Sequence, residues 1–306
     1  MLNICAFLGA GFSKWACNLP LVNDLFDWAI HVDSEVEQRR LDRISEAYKR
    51  WRFEHPTDHP ERFIGFCQSK SRSKFLVNLY ILRRLTDQFT YTGGRRSTFY
   101  INSYRAHEHD GARVAGEFFE RIQFFGKLDI VTTNYDLLPE YALGSRSINF
   151  GIPGEQIGWT RYPHIRPVYA NGGIRIAKLH GSLSWSESGE KATDSRHGLT
   201  GKSLIVPPIS EKVPPTALLS QWSLASSILS NTDVFVVFGF SFNENDLAVR
   251  DLVATNLAGR AIVILVDAVD HRDRLPFLTL RRKTHFVNVL EVPTSDLANW
   301  VGQSIQ

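Results

Sequence analysis

The amino-acid sequence predicts an α/β fold in which helices flank a parallel β-sheet, with a helical module inserted into the chain. An apolar run, a glycine turn and a segment of helical spacing follow one another between Leu2 and Ile30. The run Val234–Phe240 is apolar without polar alternation, which is typical of a strand buried on both faces of a parallel sheet. Polar residues follow a further strand-like segment at Asp129–Thr132. This succession of strands, turns and helices is the signature of an α/β sheet.

Composition limits the class of protein. The chain has 306 residues, of which 43% are hydrophobic and 22% charged, enough for one large domain or two smaller ones. A net charge of +3 is too small to indicate nucleic-acid binding by itself. The three cysteines, Cys5, Cys17 and Cys67, form no C-x-x-C pair, so neither a disulfide framework nor a cysteine-rich zinc module is expected. No apolar run approaches the roughly 20 residues of a membrane helix, and we expect a cytoplasmic protein without a membrane segment.

The first predicted strand, Leu2–Leu8, runs into Gly9-Ala10-Gly11-Phe12-Ser13, and helical spacing follows at Leu21–Ile30. Glycines at such a turn let backbone N–H groups approach a pyrophosphate at a helix amino terminus. The third glycine of the full dinucleotide fingerprint is absent, and an ordinary tight turn is the alternative interpretation.

The segment 31–111 is polar and has helical spacing, most clearly at Val36–Trp51 and Phe75–Leu85. We interpret it as an inserted helical module. A basic run marks its second half, and we favour a solvated face over binding of nucleic acid or an acidic partner. The basic residues are Lys70, Arg72, Lys74, Arg83, Arg84, Arg95, Arg96 and Arg105.

Three polar side chains follow the predicted strand Asp129–Thr132, in the segment Thr133-Asn134-Tyr135-Asp136. Ligands of open α/β sheets bind outside the carboxyl ends of the strands, so Asn134 and Asp136 could both face a bound molecule. The alternative is that these side chains satisfy turn and helix-cap hydrogen bonds. Helices are predicted on either side, at Glu117–Phe125 and Leu137–Leu143.

A second strand exit carries a histidine. The loop-like segment Ser145–Gly173 precedes a predicted strand at Ile174–Leu179, which ends at His180-Gly181-Ser182. The position of His180 at a strand exit, before a glycine, favours a side chain that faces a cleft. The alternative is a histidine whose hydrogen bonds serve only the structure. The other histidines, including His55 and His59, show no metal-ligand spacing.

The remaining chain alternates strands and helices. Asp267 follows a buried strand, where it could hold a ribose hydroxyl or cap the next helix. Strands are predicted at Leu204–Val206, Asp233–Phe240, Ala261–Val266 and His285–Val292, and helices at Ala217–Leu229, Leu247–Leu257, His271–Arg282 and from Ser295 onward.

The ordered motifs together resemble the sirtuin-like family, and more closely its bacterial antiphage-defence branch. They are Gly9-Ala10-Gly11-Phe12-Ser13, Thr133-Asn134-Tyr135-Asp136, Lys178-Leu179-His180-Gly181-Ser182, Pro214-Pro215 with Leu218 and Trp222, and Gly239-Phe240-Ser241-Phe242 with Asp246. The resemblance implies a single domain over 1–306 with a Rossmann-like NAD-binding sheet and the helical module 31–111 inserted in it. It implies that Asn134 and His180 are catalytic. The NAD-contacting positions that it implies are Gly9, Ala10, Gly11, Ser13, Asp136, Gly239 and Ser241. We add Phe12 of the glycine turn and Asp267 at the exit of a buried strand as cofactor-binding candidates.

Two departures from the protein-deacylating sirtuins matter. No cysteine lies between Gly181 and Val206, where those enzymes carry a four-cysteine zinc module. The segment Cys17–Leu21 also lacks the arginine of their Gly-Ile-Pro-Asp-Phe-Arg motif. The resemblance therefore implies hydrolysis of NAD+ to nicotinamide and ADP-ribose, without a metal, in NAD-depleting defence against phage. Alternatives are an NAD or ADP-ribose-binding regulatory module without turnover and an NAD-dependent protein deacylase.

An uncontrolled NAD+ hydrolase would harm its own cell, so we expect restraint by assembly or by a partner. Homo-oligomerisation and a complex with a helicase-like ATPase or an Argonaute-type defence protein are the expected forms, and direct binding of nucleic acid is left open. The module 31–111 is the expected site of control, because it lies between the glycine turn and Asn134.

Overall fold

A computed structural model describes residues 1–26, 30, 32, 34–87, 110–143, 148–150, 173–186, 203–208, 215–243, 246–275, 278 and 284–305. The strands within them are β1 Leu2–Leu8, β2 Gly126–Thr132, β3 Ile148–Asn149, β4 Ile174–Lys178, β5 Gly181–Ser186, β6 Ser203–Ile205, β7 Val234–Phe238, β8 Ile262–Asp267 and β9 His285–Asn288. Seven of them form a sheet of order β3-β4-β2-β1-β7-β8-β9, in which every pair of neighbours is parallel. The other two, β5 and β6, form a separate antiparallel ribbon.

Helices cover the sheet and build the inserted module. In the described residues they are α1 Ala10–Cys17, α2 Glu35–Glu54, α3 Pro60–Gln68, α4 Ser71–Asp87, α5 Asp110–Gln123, α6 Leu138–Leu143, α7 Leu219–Ser230, α8 Leu247–Asn256 and α9 Leu297–Ile305. The predicted α/β class, with a parallel sheet between helices, is confirmed.

The central strands are buried on both faces. Ile4, Ala6 and Leu8 of β1 belong to one apolar cluster, whereas Cys5 and Phe7 belong to the cluster on the opposite face. Successive side chains of a strand point to opposite faces, so a strand covered on both sides is mostly apolar along its length. This is the physical reason that unbroken apolar runs mark the sheet in the sequence.

Aromatic rings join the helices α2, α3 and α4, and these rings belong to the same apolar cluster as one face of β1. The ring of Phe26 lies 4.1 Å from that of Tyr48 and 5.1 Å from that of Tyr80, and Phe63 of α3 meets it edge-on at 5.4 Å. Aromatic pairs at these separations stabilise a core beyond the area that they bury. Three helices are thereby held against the segment that follows α1.

The prediction of a solvated basic face is wrong for two of its residues. Arg83 and Arg84 of α4 are 5% and 1% exposed, because α4 packs against both α2 and α3. Arg83 forms an ion pair with Glu37 of α2. Of the remaining basic residues, Arg95, Arg96 and Arg105 lie outside the described residues.

Three predicted boundaries are also wrong. Asp24 accepts a hydrogen bond from the Leu21 amide at 3.2 Å, which closes a single 3₁₀ turn in the described part of the predicted helix Leu21–Ile30. A 3₁₀ turn at Arg272–Arg274 stands where the described part of His271–Arg282 was predicted helical. The last strand ends at Asn288, whose side chain accepts from the Leu290 amide at 3.0 Å.

No helix in the described ranges has the length and apolar character required to span a membrane.

Candidate functional site

One cavity of about 460 Å³ opens at the carboxyl edge of the sheet. Its walls come from the segments that follow β1, β2, β4, β7 and β8, and from the inserted module. After β1 the chain builds the sheet towards β2, β4 and β3, whereas β7 lies on the other side of β1. The cavity therefore lies at the point where the strand order reverses, which is where open α/β sheets bind their ligands.

The glycine turn after β1 packs directly on the exit of β7. The amide of Gly9 donates to the carbonyl of Phe238 at 2.9 Å, and that of Gly11 donates to Gly239 at 2.9 Å. A Cβ at Gly9 would lie 2.3 Å from the Gly239 oxygen, and a Cβ at Gly239 would lie 2.2 Å from the Phe12 nitrogen. Gly239 also has a φ of 65°, which favours glycine. These glycines let two backbones touch at the mouth of the cavity.

Asn134, which follows β2, is pinned by both protons of its side-chain amide. Nδ2 donates to the carbonyl of Gly9 at 2.8 Å and to the hydroxyl of Ser13 at 2.9 Å. The Ser13 hydroxyl in turn donates to Oδ2 of Asp136 at 2.7 Å. Because both amide protons are used, the amide oxygen is what this side chain can present to a ligand.

Asp136 fits both interpretations that the sequence left open, because it caps a helix and also lines the cavity. Its Oδ1 accepts from the Leu138 amide at 3.0 Å, so it caps α6, and its Oδ2 holds Ser13. It also lines the cavity. The carboxylate is thus an anchor that fixes Ser13 and, through it, the orientation of Asn134.

A buried ion pair lies beneath this network. Lys178, at the end of β4, donates to the carbonyl of Asp136 and, at 2.9 Å, to Oε1 of Glu140, and both side chains are essentially inaccessible to solvent. Burial raises the pKa of Glu140, and the Lys178 ammonium opposes that rise. The backbone amide of Lys178 donates to Gln221 at 3.1 Å. The pair ties the loop after β2 to β4.

His180 follows β4 and lines the same cavity as Asn134, with 4% of its surface exposed. The carbonyl just before it, that of Leu179, accepts from the Trp222 indole at 2.9 Å, and its own carbonyl accepts from the Val206 amide at 2.8 Å. The Tyr135 hydroxyl donates to the Val206 carbonyl, and the Tyr135 and His180 rings are 6.4 Å apart. The β5–β6 ribbon therefore holds His180 at the cavity wall.

The part of the cavity wall that follows β7 and β8 is acidic. Asp267, at the end of β8, accepts from the Ala268 amide at 2.7 Å, and burial raises its pKa. Asp246 is 8% exposed and lines the cavity with Ser241 and Asn243.

The cavity brings together most of the residues singled out in the sequence. Its lining includes Ala10, Gly11, Ser13, Asn134, Asp136, His180, Gly239, Ser241 and Asp267. Gly9 lies behind this wall, where its carbonyl holds Asn134. Phe12 is fully buried in the apolar core, with its ring 5.1 Å from that of Phe238.

Sequence reasoning did not assign several polar residues of this wall to the site. Among them are Asn23, His59 and Glu61, which lie between α1 and the end of α3, together with Asn243 and His271. The first three are distant in sequence from every strand exit, and no spacing signalled them. Asn243 lies within the segment following β7 and could have been found as a polar residue at a strand exit.

The described residues contain no group of three or more histidine, cysteine, aspartate or glutamate side chains placed to hold a metal ion. Burial raises the pKa of the Cys17 thiol to about 12 and that of Cys67 to about 11. Neither thiol is a reactive thiolate at neutral pH.

The model of the SIR2-like domain family matches residues 129–274. This part of the chain is similar to SIR2-like domains, and it contains Asn134, Asp136, His180 and the exits of β7 and β8. The glycine turn after β1 and the inserted module precede the matched region.

Several solved structures resemble the chain at low identity. A Sir2 homologue in complex with NAD is 14% identical, with a TM-score of 0.47, covering 99% of this chain and 90% of that one. A structure from work on the mechanism and regulation of Sir2 enzymes is 14% identical, with a TM-score of 0.44 and coverage of 99% and 91%. Sir2Af2 bound to a myristoylated histone peptide is 14% identical, with a TM-score of 0.39 and coverage of 99% and 90%. No curated protein matched the chain.

Proposed function

We propose that this protein is an NAD+ glycohydrolase that cleaves NAD+ to nicotinamide and ADP-ribose. The observation that supports it most is the fixed amide of Asn134, whose oxygen is left to a ligand in the cavity that His180 also lines. The match of residues 129–274 to the SIR2-like domain family supports the choice of NAD+.

The two sides of the cavity suit the two ends of this substrate. The glycines after β1 leave room for a pyrophosphate to approach the amino terminus of α1, where no side-chain cation is needed to hold it. On the β8 side, Asp267 can accept a hydrogen bond from the adenosine ribose. The nicotinamide ribose then lies between Asn134 and His180.

The reaction needs little acid catalysis, because nicotinamide leaves from ribose as a neutral molecule. The C1′–N bond breaks with its electron pair on the nicotinamide nitrogen, and positive charge develops on the ribose. The Asn134 oxygen accepts a hydrogen bond from a ribose hydroxyl or from the attacking water. Water forms the new C1′–O bond and passes its proton to His180, which acts as the general base.

We further propose that this activity serves NAD-depleting defence against phage. The motif order that resembles the defence branch supports this role. The module 31–111, inserted within one domain of 1–306, is the proposed contact for a second copy or for a defence partner such as a helicase-like ATPase or an Argonaute-type protein. The wall that it contributes to the cavity is the structural feature on which such control would act.

The test is release of nicotinamide from NAD+ by the purified protein, alone at several concentrations and with its genomic neighbour. Asn134→Ala and His180→Ala are each expected to lower the rate at least about 100-fold, as is typical when one catalytic group is removed. Circular dichroism should show an intact fold.

Matched controls are Asn299→Ala on α9 and His55→Ala in the module, since both side chains are exposed away from the cavity. Full turnover by a folded Asn134→Ala or His180→Ala variant would refute the assignment. Bound NAD+ without nicotinamide release under every condition would identify a binding module. Consumption that requires an acyl-lysine peptide would identify a deacylase.

A further inference from the structure

His180 extends from a backbone that is held on both sides of its Cα. The peptide group before it carries the carbonyl of Leu179, and that oxygen accepts from the Trp222 indole at 2.9 Å. The peptide group after it carries the carbonyl of His180 itself, and that oxygen accepts from the Val206 amide at 2.8 Å. Two planar peptide groups that flank one Cα set its φ and ψ, and these angles set the direction of its Cβ.

The β5–β6 ribbon holds the peptide group that follows His180. Gly181 has a φ of 83°, which favours glycine, and a Cβ on it would lie 1.9 Å from the Leu204 oxygen. The chain therefore turns directly after His180 and packs closely on β6. The peptide group that precedes His180 is held from a different element.

That element is the start of α7, which docks at the exit of β4 through Gln221. This side chain is 1% exposed. Its oxygen accepts from the Lys178 amide at 3.1 Å, and its nitrogen donates to the Phe150 carbonyl at 2.9 Å. A side-chain amide offers an acceptor and donors in one planar group, as a peptide group does. Gln221 therefore bridges the chain after β3 and the end of β4, beyond the point where the described pairing of these two strands ends.

Trp222, the next residue of α7, holds the residue before His180. Its indole is partly buried and packs against both apolar clusters of the sheet, while its N–H donates to the carbonyl of the fully buried Leu179. The Leu179 amide donates to the carbonyl of Thr132 in β2 at 2.9 Å. Leu179 is thus tied to β2 through its nitrogen and to α7 through its oxygen.

We propose that Trp222 is a positioning residue, whose indole N–H fixes the peptide group from which the His180 side chain enters the cavity. Trp222 stands outside the described lining of the cavity, so it acts through His180 and not on the ligand. The inference rests on the proposed function for its effect on the reaction, whereas the placement of the His180 ring is observable without any turnover.

The first test observes the His180 ring directly in the variant Trp222→Phe, which removes the N–H and keeps an aromatic ring in the apolar contact. NMR spectra of protein labelled with ¹³C-histidine contain the ring signals, and the His180 signal is identified by its loss in His180→Ala. In Trp222→Phe this signal should shift or split, because the buried Leu179 carbonyl loses its donor and the following peptide group is free to turn. The other histidine signals should stay in place.

The second test measures nicotinamide release. Trp222→Phe should lower kcat about tenfold, since a small displacement of a catalytic group is costly, and should change the KM for NAD+ less than about twofold. In a His180→Ala background the same substitution should change the residual rate less than about twofold. A residue that acts through His180 has nothing left to position once the imidazole is gone.

Trp300→Phe is the matched control, because it makes the same exchange at an exposed position of α9. It should leave the His180 signal and the rate unchanged. If Trp222→Phe does not fold, benzothienylalanine placed at position 222 takes over both tests, since sulfur replaces the N–H within a ring system of the same shape.

A His180 signal that keeps its wild-type position in a folded variant without the N–H would overturn the proposal. So would a loss of rate that is equally large in the His180→Ala background, because it would show a general structural role for Trp222. A wild-type protein that releases no nicotinamide would count against the proposed function, and the NMR comparison would still decide whether Trp222 positions His180.

Discussion

The two halves of the cavity mouth are built on opposite principles. At the exits of β2 and β4, side chains form a continuous network from Lys178 through Asp136 and Ser13 to Asn134. At the exits of β1 and β7, the absence of side chains at Gly9, Gly11 and Gly239 lets two backbones touch. The first half is held by hydrogen bonds between polar groups, whereas the second is held by a backbone contact that only glycine, without a Cβ, allows.

The two halves should therefore respond to mutation for different physical reasons. A polar network in a buried site must be fully satisfied, because each lost partner leaves a group without its hydrogen bond at a cost of about 1–3 kcal/mol. A glycine contact tolerates no added atom but carries no charge. Changes in the first half should therefore act through charge and hydrogen bonding, and changes in the second half through steric strain.

The largest effect on stability is expected from Lys178→Met. The substitution leaves Glu140 buried without its cationic partner, and breaking a buried pair in this way costs about 3–5 kcal/mol. The free energy of unfolding, measured with urea at pH 7, should fall by that amount.

The effect should also depend on pH. Burial already raises the pKa of Glu140, and loss of the ammonium raises it further. At pH values between the pKa of Glu140 in the unfolded chain and its higher pKa in the folded chain, the unfolded chain releases the carboxyl proton that the folded chain keeps. Stability therefore falls as pH rises through this window. The variant should lose less stability at pH 5 than at pH 8. The control is the double variant Lys178→Met with Glu140→Gln, in which the pH dependence should disappear. An equal loss of stability at pH 5 and pH 8 in the single variant would contradict the ion-pair interpretation.

In the glycine half, Gly239→Ala should destabilise the protein by about 2–4 kcal/mol. The new Cβ would meet the Phe12 nitrogen at 2.2 Å, and the φ of 65° is unfavourable for alanine. Thermal unfolding followed by circular dichroism measures the loss, which should not change between pH 5 and pH 8.

Gly65→Ala is the matched control, since a Cβ there meets nothing within 4 Å. It replaces a helical glycine by a better helix former and should leave stability unchanged or raise it slightly. A Gly239→Ala protein as stable as the wild type would show that the two backbones can separate without cost.

The smallest effect on stability is expected from Ser13→Ala, which cuts the link between the two halves. Ser13 belongs to α1 after the glycine turn, yet its hydroxyl joins Asn134 to Asp136. Loss of these bonds should cost about 1–2 kcal/mol. Nicotinamide release should fall more than binding of NAD+, because the amide of Asn134 is no longer held in one orientation. A matching fall in binding and turnover would argue that Ser13 contacts the substrate and does not position Asn134.

Much of this architecture could be predicted from local pattern. The strand Leu2–Leu8 has the same bounds in the structure, and the polar residues after β2 and β4 were recognised because parallel strands deliver their carboxyl ends to one edge. The ribbon strand β5 was not predicted, although the alternation of polar and apolar residues in Ser182-Leu183-Ser184-Trp185-Ser186 could have signalled it. The helix boundaries at Leu21 and His271 were misjudged because nearby aspartates close short turns.

The sequence by itself determined the long buried strands β1, β2, β7 and β8, the residues at their exits and the order of the motifs, because burial on both faces and turn chemistry act over a few neighbouring residues. Tertiary structure alone decided that Glu61 reaches the cavity, that Lys178 pairs with Glu140, and that Arg83 is buried. Those outcomes depend on how helices far apart in the chain pack against the sheet and against one another. The residues next to a charged side chain in the sequence do not indicate whether it is buried, because its burial depends on partners that only the folded chain supplies.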